Sequence, residues 1–573
     1  MHLPRSTFIG HRLLAVLLLS VALISACSSS GTDNSAGAFA RVPNPYMLES
    51  GQVQVENLNT FGDSYSVPGP WGLPWSSYLA AGGRVQSVDN AAVSASTAAG
   101  SGPLSFNGQV SRFLNRRDGF GNRDLTVAYF GYNDIGRGGS SDGLARARAN
   151  YQLGVARLEG AGAIEGDRRI FLTQLHDWSK NPGVANSTQP QVIGWNAFIA
   201  DLANQSPNRV AVDLYTVFER VYADPQRFGL VNVTVPDRAR ADVDFLYGDL
   251  LHFGQQGQLI IARTYDHYLT RGWDWANTIA AGAAASQQLS RDIDAGLLQL
   301  ADGPGWSGLR LDSGEAGDGL ILNYSPGTAM GETTGLRFGV AMMDGTRSMS
   351  LPTTPEVGQR LTVGSQGLST YFSQDLGIAT TTTQISQINH DISRQSHDPL
   401  LRRRVNNRAE AESLMIRQQL QSVANFRGLQ FAPWASLAHT WHSMDDVDTN
   451  TLYTSSQQVS LSDFSEWRAE AGLRVMSPPL SLNNGSRLDL SLNGSVSSRL
   501  DDSTVQIRFR EEAFPSLVQR ETVSMAGRHQ WSAGLGSQLT LASGLNLTAG
   551  YAATAVDGGA VNDQLDLALS YRF

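Results

Sequence analysis

Cysteine is almost absent from this chain of 573 residues, whose single example is Cys27. One cysteine cannot form an intrachain disulfide and cannot supply the ligands of a Cys-based metal site. Charged residues are scarce as well, at 17% of the chain, and a net charge of −9 argues against a nucleic-acid-binding protein with a basic face. The length itself exceeds that of one ordinary domain and predicts two or more.

The first residues predict export. Basic residues precede an apolar run at 13–26 that has the length of a signal-peptide core and is too short to predict a membrane span. The run ends in ISAC, residues 24–27, which resembles a bacterial lipobox. That resemblance implies a lipidated Cys27 at the start of the mature chain and, with Ser28 beside it, sorting to the outer membrane. The alternative is an ordinary signal peptide cut near Ala26.

Residues 51–274 alternate short apolar runs with segments of helical spacing. The runs 124–131, 168–175 and 208–215 predict strands, whereas QPQVIGWNAFIADLANQS and FGQQGQLIIARTYDHYL predict helices. Strands that alternate with helices indicate βαβ units and a parallel sheet covered on both faces. We therefore expect a three-layer α/β domain here, preceded by a flexible segment at 27–50.

Residues 304–573 change to a period of two, which is typical of strands with two different faces. The last ten residues, QLDLALSYRF, place leucines and aromatics on one face and Gln, Asp, Ala, Ser and Arg on the other. Polar residues facing inward and aromatics near strand ends favour a transmembrane antiparallel β-barrel over a soluble sandwich. The length allows about 12 strands of ~10 residues with their loops.

This half, which ends on Phe573, resembles the translocator of autotransporters (type V secretion). The segment 275–303 is rich in alanine and predicts a helix. It is either a plain interdomain linker or, given export and a barrel, a helix that threads the barrel, and we favour the second.

The stretch FGDSYS at 61–66 raises the question of whether Ser64 is a turn residue or a nucleophile. A serine hydroxyl needs a base, usually a histidine held by a carboxylate. In the α/β region, His176 and His267 each lie next to an aspartate in sequence, and adjacent side chains point apart. His252 follows Asp249 by three residues, a spacing that can bring the carboxylate to Nδ1 and leave Nε2 free for Ser64.

A third block, GYND at 131–134, follows a predicted strand, in the region where ligands lie in open α/β sheets. The amide of Asn133 could reach a developing oxyanion there. With GDS at 62–64 and DLLH at 249–252, these blocks stand in the order of the GDSL (SGNH) esterase/lipase family, which the chain resembles over about 55–270. The resemblance implies a flavodoxin-like SGNH-hydrolase fold.

The resemblance also implies roles for the site residues. Ser64 attacks an ester carbonyl, His252 is the base and Asp249 orients His252. The oxyanion hole consists of the backbone N–H of Ser64, the side chain of Asn133 and one further backbone N–H. For that last donor the family usually has glycine, and this chain offers Ser94 or Ala95.

Two more departures from the family pattern concern the substrate. The family's GDSLSD is GDSYSV here, and Phe253-Gly254 follows His252 in place of Pro-Thr. We expect Asp63 to be structural and to stabilise the turn of Ser64.

These expectations describe a surface-displayed serine carboxylic ester hydrolase that is anchored in the outer membrane of a Gram-negative bacterium by its own barrel. No metal or cofactor is expected. The expected partners are an ester or lipid substrate, outer-membrane lipid and the barrel-assembly and export machinery, with a monomeric chain. The alternatives are a glycan O-deacetylase, a thioesterase or lysophospholipase on the same residues, or a non-catalytic surface adhesin that keeps the fold.

Overall fold

The computed structural model describes residues 42–571, apart from 43, 49–51, 118, 138–140, 300–304, 315–316, 326–335, 352–358, 399, 401–403, 450–456, 483–484, 512–517, 526–528, 544 and 557–561. The predicted signal peptide at 1–26, the lipidation of Cys27, most of the segment 27–50 and the terminal Phe573 lie outside these residues. No helix among the described residues is long and apolar enough to cross a membrane.

The N-terminal half is built on a five-stranded parallel sheet in the order β2-β1-β3-β4-β5. Its strands are β1 (Val55–Gly62), β2 (Val85–Asn90), β3 (Leu125–Tyr129), β4 (Ile170–Gln174) and β5 (Arg209–Asp213). The central strands β3 and β4 are buried along their whole length. Burial on both faces explains why they appear in the sequence as continuous apolar runs.

Helices connect these strands and cover the sheet. They are α1 (Trp75–Ala81), α2 (Phe106–Asn115), α3 (Tyr132–Gly136), α4 (Ser141–Gly160), α5 (Gln189–Ala203), α6 (Leu214–Ala223) and α7 (Gln255–Tyr268), followed by the long α8 (Arg271–Gln299). The three strands and two helices predicted for this half are present, each within a few residues of its predicted position. The predicted linker helix at 275–303 corresponds to α8, which begins four residues earlier.

The C-terminal half contains a large antiparallel sheet. Its main strands are β6 (Gly305–Gly314), β7 (Gly317–Ser325), β8 (Leu336–Leu351), β9 (Gln359–Asp375), β10 (Thr380–His397), β11 (Arg404–Gln421), β13 (Leu429–Met444), β16 (Phe464–Met476), β18 (Arg487–Arg499), β21 (His529–Thr540), β22 (Leu545–Val556) and β23 (Asn562–Tyr571). Two short strands, β12 (Ala424–Phe426) and β17 (Leu480–Ser481), pair with β13 and β18. The first strand pairs with the last, β6 with β23, and β11 pairs with both β10 and β13.

The two faces of this sheet have the opposite polarity to a soluble protein. Large apolar side chains are exposed on one face, with Trp531 at 59% and Leu535 at 52%. The buried face carries polar side chains such as Gln384, Arg417 and Glu466. A soluble domain buries its apolar side chains and exposes its charged ones, whereas a strand that faces lipid does the reverse. The described strands therefore carry polar side chains on the buried face of the sheet and apolar side chains on the exposed face.

Two elements connect the halves. Helix α8 contacts strands β9, β10, β11 and β13 of the large sheet. On that helix, Gln287 Nε2 donates to Glu466 Oε1 at 2.7 Å, and Ser286 Oγ lies 3.3 Å from His390 Nε2. A separate small sheet, β14 (Val447–Thr449), β15 (Gln457–Leu461), β19 (Thr504–Glu511) and β20 (Val518–Ser524), also contacts the N-terminal half.

Candidate active site

Ser64 lies immediately beyond the carboxyl end of β1, in a short 3-10 turn that covers Ser64–Ser66. The carboxylate of Asp63 accepts the N–H of Tyr65 at 3.0 Å and so closes this turn, as expected for a structural residue. Gly62 precedes the turn where a Cβ would come within 2.7 Å of Ser66 Oγ. Glycine at this position therefore leaves room for the turn that presents the hydroxyl of Ser64.

Ser64, His252 and Asp249 form one continuous hydrogen-bonded chain. The Nδ1–H of His252 donates to Asp249 Oδ2 at 2.9 Å, and this fixes the tautomer because a carboxylate can only accept. The other ring nitrogen, Nε2, lies 2.9 Å from Ser64 Oγ and is left to accept its proton. A hydroxyl placed in this way can transfer its proton to imidazole as it attacks an electrophile.

Asp249 is itself held by the chain around it. Its Oδ1 accepts the backbone N–H groups of Leu251 and His252, both at 2.7 Å. Burial by itself would raise the pKa of this carboxyl, but the hydrogen bonds from the His252 ring and from the two backbone N–H groups hold the pKa below its usual value. The carboxylate is 43% exposed, so it is oriented by these bonds rather than by burial.

Asn133 lies at the start of α3, directly after β3, in the loop region predicted to carry a ligand group. Its Nδ2 donates to the backbone carbonyl of Ser96 at 3.0 Å and, weakly, to Asp63 Oδ2 at 3.4 Å. The amide is therefore held beside the nucleophile turn. One of its two hydrogens is held only by the long contact, and a stronger acceptor could take that hydrogen.

The loop after β2 contains Ser94 and Ala95, the two candidates for the further backbone N–H of the oxyanion hole. Ala95 adopts a left-handed backbone with φ of 58°, one of two non-glycine residues with positive φ in the described part of the chain. Glycine tolerates this conformation far better than other residues, so Ala95 is the position of this loop that favours glycine. Ser94 and Ala95 lie in the same exposed turn. The backbone N–H groups of Ser64 and Ala95 have no hydrogen-bond acceptor among the described residues.

Sequence reasoning missed the role of Trp71. Its indole lies flat on the imidazole of His252, with ring centroids 3.7 Å apart and an interplanar angle of 15°. The same residue packs against Gly248, where a Cβ would approach Trp71 to 3.2 Å. Trp75 is fully buried and its indole N–H donates to Ser66 Oγ, which makes it a core residue. The two tryptophans differ in the contact of Trp71 with His252, which lies 181 residues further along the chain. The spacing of residues in the local sequence cannot show such a contact.

His176 is excluded as the base by its surroundings. Burial lowers its pKa to about 3, and Asn181 and the hydroxyl of Tyr132 occupy its ring nitrogens. His267 is also buried, with a pKa lowered to about 3. Both histidines are therefore structural in the neutral form. Among the described residues, no cluster of three or more His, Cys, Asp or Glu side chains could hold a metal ion.

Residues 323–552 match the family model described as the autotransporter beta-domain. The C-terminal half accordingly has the autotransporter beta-domain fold, with a large antiparallel sheet. The protein is located in the outer membrane, and its N-terminal domain, the passenger, is displayed at the cell surface.

Several solved structures are similar to parts of the chain. The translocator domain of the autotransporter NalP from Neisseria meningitidis is 16% identical over 52% of this chain and 98% of its own, with a TM-score of 0.36. The transport unit of AIDA-I from Escherichia coli is 10% identical over 46% of this chain and 89% of its own, with a TM-score of 0.31. Axe2, an acetylxylan esterase from Geobacillus stearothermophilus, is 16% identical over 38% of this chain and 96% of its own, with a TM-score of 0.26. No curated protein matches the chain.

Proposed function

We propose that the passenger is a serine carboxylic ester hydrolase of the GDSL (SGNH) type. The observation that carries this proposal is the unbroken hydrogen-bonded chain from Ser64 Oγ through His252 to Asp249, with 2.9 Å at both imidazole nitrogens. These three residues come from two loops that are 188 positions apart in sequence. Such convergence is the arrangement that an activated serine requires.

In the proposed reaction, Ser64 Oγ attacks the carbonyl carbon of the ester while His252 Nε2 takes its proton. Asp249 keeps the imidazole in the required tautomer and stabilises the imidazolium that forms. His252 then protonates the leaving alcohol, and water releases the acid from Ser64 by the same steps in reverse. We assign the developing oxyanion to the N–H groups of Ser64 and Ala95 and to Asn133 Nδ2.

The proposal includes the anchoring of the enzyme. The pairing of β11 with both β10 and β13 supports a closed barrel of twelve strands, which leaves no sheet edge in lipid. Contacts of α8 with the buried polar face of β10 and β16 support a helix that threads this barrel.

The test is hydrolysis of p-nitrophenyl esters, from acetate to long acyl chains, by intact cells that express the wild type or Ser64→Ala. We expect activity that Ser64→Ala reduces by about a thousandfold or more. Ser66→Ala is the matched control, since Ser66 lies in the same turn and does not contact His252. Equal activity of wild type and Ser64→Ala would contradict the proposal.

The substrate range is the second part of that experiment. Rates that rise with chain length favour a lipase or lysophospholipase, and rates confined to acetate favour a glycan O-deacetylase. A thioesterase would prefer the matched thioester. Absence of any hydrolysis by a folded, surface-displayed passenger would favour the non-catalytic adhesin.

A further inference from the structure

The paired strands β19 and β20 of the C-terminal half lie against the passenger and together are called the docking hairpin below. Strand β20 contacts β5, the last strand of the passenger sheet, and α5 beside it. Asn204 Nδ2 of the passenger donates to the carbonyl of Val518 at 2.9 Å. An uncovered edge strand invites pairing with other chains, and the docking hairpin covers this one.

Three charged side chains are completely buried at this contact. Glu521 of the docking hairpin is 0% exposed, and its two carboxylate oxygens accept from Arg169 of the passenger, at 2.6 Å, and from Arg271 at the start of α8. Arg169 also donates to the carbonyl of Thr522 at 3.1 Å. Buried charges are costly unless each is paired, so removing Glu521 would leave two guanidinium groups in an apolar interior without their counter-ion.

Aromatic rings and a glutamine complete the contact. The guanidinium of Arg169 stacks on Trp273 at 3.9 Å, and that of Arg271 lies between Tyr268 and Phe509 at 3.7 and 4.1 Å. Gln519 Oε1 accepts from Arg271 Nη2 at 2.8 Å.

The same face of the docking hairpin also carries apolar side chains, since Ile507 pairs directly with Glu521 and Val505 with Val523. Val505, Ile507 and Val523 are buried in one cluster with Trp273, Trp275 and Ile279 of α8. One face of the docking hairpin therefore meets both the passenger and α8. A loop that only connects two strands would not need charged side chains that are fully buried and paired.

We propose that the docking hairpin is an interaction surface whose partner is the passenger of the same chain, and that it completes the folded passenger. Arg169 fixes the register of this contact because its bidentate fork must meet both Glu521 and the backbone of Thr522. The passenger is consequently stable only while it is docked, and it stays at the cell surface on the half that exported it. This proposal does not depend on the chemistry of Ser64.

The test uses the full chain in intact cells and follows digestion of the passenger by added proteinase K. The variants are Arg169→Met, Glu521→Gln and the double variant, and the matched control is Glu410→Gln, an exposed carboxylate on β11. Folding of the C-terminal half is checked separately by its heat-modifiable migration in detergent gels. No ester substrate is involved, so the result is independent of the proposed enzymatic activity.

Each single variant should be digested about a hundredfold faster than the wild type, because each removes one partner of a buried pair. The double variant should be digested no faster than the worse single variant, since the two side chains act through one contact. Passengers of both single variants that resist digestion like the wild type would overturn the proposal, and so would effects that multiply in the double variant. If Glu521→Gln disturbs migration of the C-terminal half, Arg169→Met alone decides the test, because Arg169 lies in the passenger.

Discussion

The indole of Trp71 covers the imidazole of His252 at 3.7 Å, nearly parallel to it. The face of an aromatic ring attracts cations, so in the proposed reaction this contact would stabilise the positive charge that the imidazole gains with the proton of Ser64. It also restricts the ring to the plane in which Nε2 meets Ser64 Oγ. The proposed base is therefore positioned from two sides, by Asp249 through hydrogen bonds and by Trp71 through stacking.

We expect Trp71→Ala to lower kcat/KM for p-nitrophenyl esters by about threefold to thirtyfold, in line with the 0.5–2 kcal/mol of such contacts. Trp71→Phe keeps an aromatic face and should retain most of the activity. Leu73→Ala, two residues along in the same loop and exposed, serves as the control. If Trp71→Ala were as active as Trp71→Phe, the stacking would have no part in catalysis.

Asp249→Asn should reduce kcat/KM by at least about a hundredfold. The amide oxygen can accept the backbone N–H groups of Leu251 and His252, but its NH2 then faces Nδ1 and can only donate to it. The imidazole proton is then held on Nε2, which can no longer accept the proton of Ser64. Asp237→Asn is the matched control, because Asp237 accepts two backbone N–H groups in a nearby turn without contacting His252. Equal losses in the two variants would assign the effect to loop folding.

The buried carboxyl of Asp63 should make passenger stability depend on pH. Burial raises its pKa from 3.8 to about 7. The unfolded chain releases this proton near its ordinary pKa, so the stability contributed by the protonated form is complete below pH ~4 and declines as the pH rises toward 7.

Asp63→Asn mimics the protonated form and should flatten that decline. The midpoint of thermal unfolding, followed by tryptophan fluorescence, should exceed that of the wild type by several degrees at pH 7.5 and match it at pH 4. Asp201→Asn, an exposed carboxyl on α5, should follow the wild type at both values. A constant difference between Asp63→Asn and the wild type across this range would refute the titration.

Ala95→Gly should stabilise the passenger. An alanine in the left-handed region costs about 1–2 kcal/mol, of which the greater flexibility of unfolded glycine offsets about 0.5–1 kcal/mol. The net gain should be at most about 1.5 kcal/mol, measured as a rise in the thermal midpoint. Ala92→Gly in the same loop has no positive φ to relieve and should lower the midpoint.

The sequence was informative where local pattern decides structure. The period-two strands, the apolar runs that became β3 to β5 and the helix at 271–299 follow from side-chain alternation and helix propensity. Ser64, His252 and Asp249 could be predicted as candidates because their types and order are specific, and the Asp-x-x-His spacing is local.

The features that the sequence could not predict depend on contacts between distant positions. Trp71 and Trp75 look equivalent in sequence, yet one covers His252 and the other is a core residue. The left-handed backbone of Ala95 is a property that the sequence does not show. The pairing of Arg169 with Glu521 joins positions 352 residues apart, and the sequence around either residue does not predict it.

Labelling with a fluorophosphonate tests the central claim most directly. Intact cells that express the full chain are treated with the reagent, and the modified residue is identified by mass spectrometry. We predict one phosphonyl group per chain, on Ser64, with none on Ser64→Ala and much slower labelling of His252→Ala. A folded passenger whose Ser64 stays unlabelled would contradict the hydrolase and leave the surface adhesin.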